Sequence, residues 1–161
     1  MAIVCGMKTF LVPIDFSSIT EMVIDSAMGF ARAFNGKVVL LHIVQTPVIA
    51  TSEYALPAEV VQEAVTVSRT ASQKKLSVYT KLFQEAGIGC DSKTLVGAPV
   101  SLIRNEAANC GADFVIMGSH GHGKLYDFLV GSTASGVLKK AKCGVIVIPT
   151  LDKENQTDSQ M

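Results

Sequence analysis

Lys37 to Val44 reads KVVLLHIV, a run that after its opening lysine is broken only by one histidine and is too uniformly hydrophobic to show one face to water. A strand of that kind needs cover on both faces, which is the condition of a parallel sheet packed between layers of helices. Shorter runs rich in β-branched residues recur at Thr9 to Ile14 (TFLVPI), Phe114 to Met117, and Gly144 onward (GVIVIP), with a more polar candidate from Cys90 to Val96. Helical spacing separates them. Ser18 and Glu21 are spaced as a capping box, and Val23, Ile24, Ala27, Ala31 and Phe34 follow on one predicted face until Asn35-Gly36. Val61, Ala64, Ala71, Val78 and Leu82 give the apolar face of a long second helix ending near Gly87. A short helix from Ala98 to Asn109 with Pro99 in its first turn, and another from Ser132 to Lys142, complete the order β-α-β-α-β-α-β-α-β.

That alternation predicts a single α/β domain over residues 1–150: a doubly wound, five-stranded parallel sheet of order 3-2-1-4-5, Rossmann-like, with helices on both faces. In this order the connections after strands 1 and 4 leave toward opposite faces, so a crevice opens at their carboxyl ends, where Asp15 and Gly118 both fall. Residues 45–57, with Pro47 and Pro57, read as a loop placed to fold over that crevice, and 151–161 as a polar tail expected to be disordered.

The charges exclude several classes of partner. Lys plus Arg and Asp plus Glu number 14 each, so no basic excess is available to neutralise the phosphates of a nucleic acid. Nothing approaches the roughly 20 apolar residues of a membrane span, and no leader pattern opens the chain, so a cytoplasmic location is expected. Cys5, Cys90, Cys110 and Cys143 are scattered, without the C-x-x-C spacing of a zinc or redox site, and are read as reduced thiols.

Chemistry concentrates in GSHGHGKLYDFLVGST, residues 118–133. Gly118, Gly121, Gly123 and Gly131 lie between a strand and a helix, where bare backbone amides and a helix N-terminus attract an anion, with phosphate as the natural occupant. Ser132 and Thr133 offer hydroxyls in the first helical turn, and Lys124 a charge. Taken singly, each glycine is explained by a turn and Ser132 by a helix cap; their gathering at the switch point favours binding. Gly118 to Lys124 also fits G-x-x-x-x-G-K, but Leu125 stands where a P-loop needs a metal-binding hydroxyl, and the segment follows the fourth strand. We read that match as accidental. The first strand leads into PIDFSS, not G-x-G-x-x-G, which argues against a dinucleotide.

The spacing Gly118-x-x-Gly121, nine residues, then Gly131-Ser132 resembles the G-2x-G-9x-G-[S/T] signature of the ATP-binding universal stress proteins. The likeness extends through VPIDFS (12–17), LLHIV (40–44), VIMGSHG (115–121) and VIVIP (145–149), nearly the whole chain. It implies an ATP, ADP or AMP site in which Gly118, Gly121, Gly131 and Ser132 hold phosphates. Ser119, His120, His122, Gly123, Lys124 and Thr133 lie within or beside that loop, and Pro13, Asp15, Ile43 and Met117 border the adenine pocket. Asp15 is suited to accept from base or ribose, or to cap the first helix; both readings stand. Mg²⁺ or Mn²⁺ would ride on the triphosphate, because His120 and His122 lack the further ligands of a protein-held metal site.

His42, inside an apolar strand, is read as a hydrogen-bonded core histidine, and Met22 and Met28 as ordinary helix packing. No catalytic residue is assigned. The resemblance implies a homodimer through Val145 to Ile148, the edge strand, which also covers a hazardous apolar edge. The function implied is a nucleotide-dependent regulatory dimer in stress response, with an unidentified protein partner reading its state. The alternative is a slow ATPase or phosphotransferase on the same loop, with Asp15, His120 and His122 as the candidates for a base or water-positioning group.

Overall fold

The computed structural model describes residues 6–46, 57–120 and 130–150. Five strands, β1 (Thr9–Pro13), β2 (Lys37–Val44), β3 (Cys90–Val96), β4 (Phe114–Gly118) and β5 (Gly144–Ile148), form one parallel sheet in the order β3-β2-β1-β4-β5. Four helices alternate with them: α1 (Thr20–Ala33), α2 (Ala58–Glu85), α3 (Pro99–Asn109) and α4 (Ser132–Lys140). The anticipated fold class and strand order are those observed; α4 ends two residues short of the Lys142 expected.

Alternation of side chains along the strands builds two cores. Phe10, Val12, Val38, Leu40 and Ile116 point to one face and pack under α1 and α2 through Val23, Ile24, Ala27, Leu76 and Phe83. Leu11, Val39, Leu41, Val115 and Met117 point to the other and meet Ile103 and Ala107 of α3 and Ala134 and Val137 of α4. The central strands are therefore apolar on both sides, which is why β2 reads as an unbroken run. Outer β3 is mostly exposed, with only Cys90 and Thr94 buried, and its Lys93 reaches across to Glu106 of α3, a carboxylate only 4% exposed, with Nζ 2.6 Å from Oε1.

Several sequence expectations are corrected. Ser18 and Glu21 form no capping box: α1 begins at Thr20 after Ile19 with no side-chain cap, and Glu21 accepts a hydrogen bond from Tyr79 of α2 at 2.6 Å. The chain turns early: Phe16 adopts a positive φ of 60°, and Asp15 Oδ1 accepts from the Ser17 N–H at 3.0 Å in a local turn ahead of the helix. The second correction is the face of α2. Ser72, Leu76 and Phe83 are buried, whereas Ala64 and Ala71 are exposed, Val78 is 67% exposed and Leu82 43%; only Val61 of the expected set is partly covered. Phe34, expected on the buried face of α1, lies just past its end and is 43% exposed.

No described helix is long and apolar enough to cross a membrane. Cys90 is buried and Cys110 and Cys143 are half-buried, all three as free thiols. Burial pushes the Cys90 thiol up to about 11, so at neutral pH it is a packing group and not a nucleophile. Cys5, most of the 45–57 loop, and the 151–161 tail lie outside the described residues.

Candidate pocket at the carboxyl edge of the sheet

The strand order fixes where a cavity must open. β1 connects to α1 on one face while β4 connects to α4 on the other, so the two chains part above the carboxyl ends of neighbouring strands. A pocket of about 320 Å³ occupies that position. Its floor is the carboxyl ends of β1, β2 and β4, with Pro13, Ile14, Leu41, Ile43, Met117 and Gly118. Its walls are the first turns of three helices: Thr20 and Val23 of α1, Pro99 and Ile103 of α3, and Ser132, Thr133 and Ala134 of α4. Asp15, Gln45, Ser119 and His120 add polar groups to the Thr20, Ser132 and Thr133 hydroxyls around an apolar floor.

Of the residues singled out in the sequence, Pro13, Asp15, Ile43, Met117, Gly118, Ser119, His120, Gly131, Ser132 and Thr133 all line this one pocket. Gly121, His122, Gly123 and Lys124 lie outside the described residues.

The two described glycines of the signature are held by close contacts. A Cβ on Gly118 would stand 2.9 Å from Ile19 Cγ2 and 3.2 Å from the His120 carbonyl oxygen; one on Gly131 would stand 3.1 Å from the Ser119 carbonyl oxygen. Gly131 itself has φ −57°, a value open to any residue, so proximity and not backbone conformation calls for glycine there. It precedes α4 without a side-chain cap, which leaves the first amides of that helix directed at the pocket without a side-chain acceptor.

Ser119 is chiefly a fastening. Its N–H donates to the Ile148 carbonyl at 2.8 Å, its carbonyl accepts from Gly131 at 2.7 Å, and its hydroxyl accepts from the Thr150 N–H at 3.2 Å and lies 3.1 Å from His120 Nδ1. These bonds pin the mouth of the pocket to the end of β5. His42 performs a similar service below: Nδ1 lies 2.8 Å from the Ile14 carbonyl oxygen, and the ring packs on Phe16 at 4.4 Å between centroids. The hydrogen bond expected of His42 is present, but the residue is half-buried and not part of the buried core.

Sequence reasoning missed Thr20. It is 3% exposed, lines the pocket, and its hydroxyl has no hydrogen-bond partner among the described residues; the same is true of His120 Nε2. Buried polar atoms are nearly always paired, so two unpaired ones on one cavity mark a place where a polar ligand or water completes the set. Gln45 and Pro99 were also missed, although both immediately follow strand ends or open a helix at the same sheet edge, where the topology alone would have found them. No group of three or more described His, Cys, Asp or Glu side chains is arranged to hold a metal ion.

Known proteins share this architecture. Universal stress protein MJ0531 of Methanocaldococcus jannaschii is 29% identical over 149 residues, covering 91% of this chain and 85% of its own. The solved structure of MJ0577 superposes with a TM-score of 0.79 at 28% identity, covering 90% of this chain and 97% of that one. The structure of the Archaeoglobus fulgidus universal stress protein in complex with dAMP has a TM-score of 0.60 at 22% identity, covering 88% and 97% of the two chains. The model of the universal stress protein family matches residues 6–149, all five strands and four helices included, and the chain belongs to that family.

Proposed function

We propose that the pocket binds ATP, or ADP or AMP in its place, and that the protein is a cytoplasmic, nucleotide-dependent regulatory dimer of the stress response. The observation that carries this reading is the meeting in one cavity of Gly118, Gly131 and Ser132 with the unpaired Thr20 hydroxyl and His120 Nε2. An apolar floor formed by Leu41, Ile43 and Met117 suits a base, and the uncapped start of α4 suits phosphate. The volume falls within the usual range of small-molecule sites, about 300–1,000 Å³. The A. fulgidus relative in complex with dAMP adds an adenine nucleotide to the same fold.

Mg²⁺ or Mn²⁺ would be carried by the phosphates, since the described residues offer no carboxylate cluster for it. The reading asks for no catalytic side chain: binding changes the surface presented to a partner, and occupancy is the signal. What supports the dimer is β5, an edge strand whose five residues are all half-buried and whose outer hydrogen-bonding edge has no neighbouring strand among the described residues.

The test is mass spectrometry of nucleotide released on denaturing the purified protein, with calorimetric titration of ATP and Mg²⁺. Recovered nucleotide or saturable binding supports the assignment. A folded protein with neither overturns it, and a monomer mass at all concentrations overturns the dimer.

A further inference from the structure

Asp15 lines the pocket just past the carboxyl end of β1, and the residue after it occupies a backbone region that bulky side chains rarely adopt. Phe16 has φ 60°, a conformation that in a residue other than glycine persists only where its surroundings impose it. Two side chains from distant parts of the chain meet its ring. The His42 ring packs on it with centroids 4.4 Å apart, and Lys75 Nζ of α2 lies over it, 5.1 Å from the centroid.

His42 holds both neighbours of Asp15. Its Nδ1 lies 2.8 Å from the Ile14 carbonyl oxygen, which can only accept, so this nitrogen donates and fixes the peptide that leads into Asp15. Its ring carries Phe16, the residue that follows. The Ile14 N–H donates to the Leu41 carbonyl at 2.9 Å, which continues the ladder of β1 up to the turn, and Asp15 Oδ1 accepts from the Ser17 N–H at 3.0 Å. Side chains alternate along β2, so Leu41 and Ile43 line the pocket while His42 between them turns to the other face of the sheet. Phe16, His42 and Lys75 all stand outside the pocket lining.

We infer that Phe16 is a positioning residue for the nucleotide site: its ring, held by His42 and Lys75, maintains the left-handed turn that fixes Asp15 at the pocket, where the carboxylate accepts from the ligand. The inference rests on the nucleotide reading above and adds to it a residue that sets affinity without touching the ligand. Loss of the ring lets residue 16 return to the common backbone regions, and Asp15 moves with it.

A double-substitution cycle decides it, read by calorimetric titration of ATP with Mg²⁺ into the full chain, with circular dichroism showing that each variant is folded. Asp15→Asn is expected to weaken ATP binding about tenfold, through loss of a hydrogen bond to a charged acceptor. Phe16→Ala should weaken it by about as much, as the turn relaxes, while Phe16→Tyr, which keeps the ring, should stay within about twofold of the original protein. Because the ring acts only through the carboxylate, adding Phe16→Ala to Asp15→Asn should cost no more than about a further twofold, against the further tenfold of an independent site. Where Phe16→Ala does not fold, Phe16→Leu, which keeps apolar bulk without the flat ring, takes its place in the cycle. Additive losses, a Phe16→Ala protein that binds ATP undiminished, or an Asp15→Asn protein that does so, each overturn the inference and leave the nucleotide reading standing. An original protein that binds no ATP overturns both.

Discussion

The main-chain N–H of Gly131 donates to the carbonyl oxygen of Ser119 at 2.7 Å, joining the end of β4 to the start of α4 at the lining of the pocket. A methyl group at Gly131 would stand 3.1 Å from that same oxygen and 3.6 Å from His120 Cα. The loop must then yield by a few tenths of an ångström just where phosphate is proposed to approach. Gly131→Ala is expected to weaken ATP binding by about tenfold, or ~1.4 kcal/mol, because the ligand needs that spacing. The fold loses little, since the backbone angles suit alanine. Calorimetry on a variant with an unchanged melting temperature checks it; undiminished affinity would remove Gly131 from the site.

Thr20 gives a prediction in which two signs oppose each other. Its hydroxyl is buried and unpaired among the described residues, so it costs the empty protein the desolvation of a polar group. Thr20→Val keeps the shape and the β-branched character while deleting that group. The ligand-free protein should therefore gain about 1 kcal/mol of stability. ATP should bind several-fold more weakly, because a hydroxyl that the ligand satisfies has been lost. Thermal melts with and without nucleotide separate the two effects. A variant that binds ATP as tightly as the original would show that the hydroxyl faces water in the complex.

The correction to α2 is testable in the same way. Leu76 is 1% exposed in the core that α2 covers, and Leu76→Ala should cost about 2–5 kcal/mol by leaving a cavity. Val78, two residues on, is 67% exposed, and Val78→Ala should change the stability of dilute protein by less than about 0.5 kcal/mol. Denaturant titration of both variants at low concentration distinguishes the observed face from the one that the sequence pattern favoured.

That contrast shows how far a sequence of this kind can be read. The strands were legible because β2 and β1, covered on both faces, are apolar through their middles, and an apolar run bounded by Asp15 or Asn35-Gly36 admits little else. Asp15 and Gly118 were placed at the crevice by the strand order, Pro13, Ile43 and Met117 by family likeness, and Gly131 by its spacing. The buried face of α2 was not legible, because Ala64, Ala71 and Val78, all exposed, recur at the same spacing as the buried Leu76 and Phe83. Periodicity finds an apolar stripe without saying which of two meets the sheet. The start of α1 was hidden for another reason: a phenylalanine at positive φ is a conformation that local propensity weighs against, and here packing of Phe16 on His42 upholds it.

Tyr79 connects α2 to α1 and ties stability to alkaline pH. Its hydroxyl donates to Glu21 Oε1 at 2.6 Å, and burial, followed by that hydrogen bond and the negative charge, pushes the phenol from 10.0 up to about 12. Folding thus favours the protonated ring. The stability it adds is fully present below pH 10, where the unfolded phenol is still neutral, and is lost as the pH rises toward 12. Cys90, raised to about 11, declines over an overlapping range and remains in both proteins, so only the difference between them is informative. Tyr79→Phe should lower stability at neutral pH by the loss of one hydrogen bond to a charged group, and its deficit should shrink as the pH climbs from 10 to 12. Urea titrations of the two proteins between pH 8 and 12 measure that gap. A gap independent of pH would mean that Tyr79 ionises as easily in the folded chain as in the unfolded one, and that its contact with Glu21 does not hold the helices together in solution.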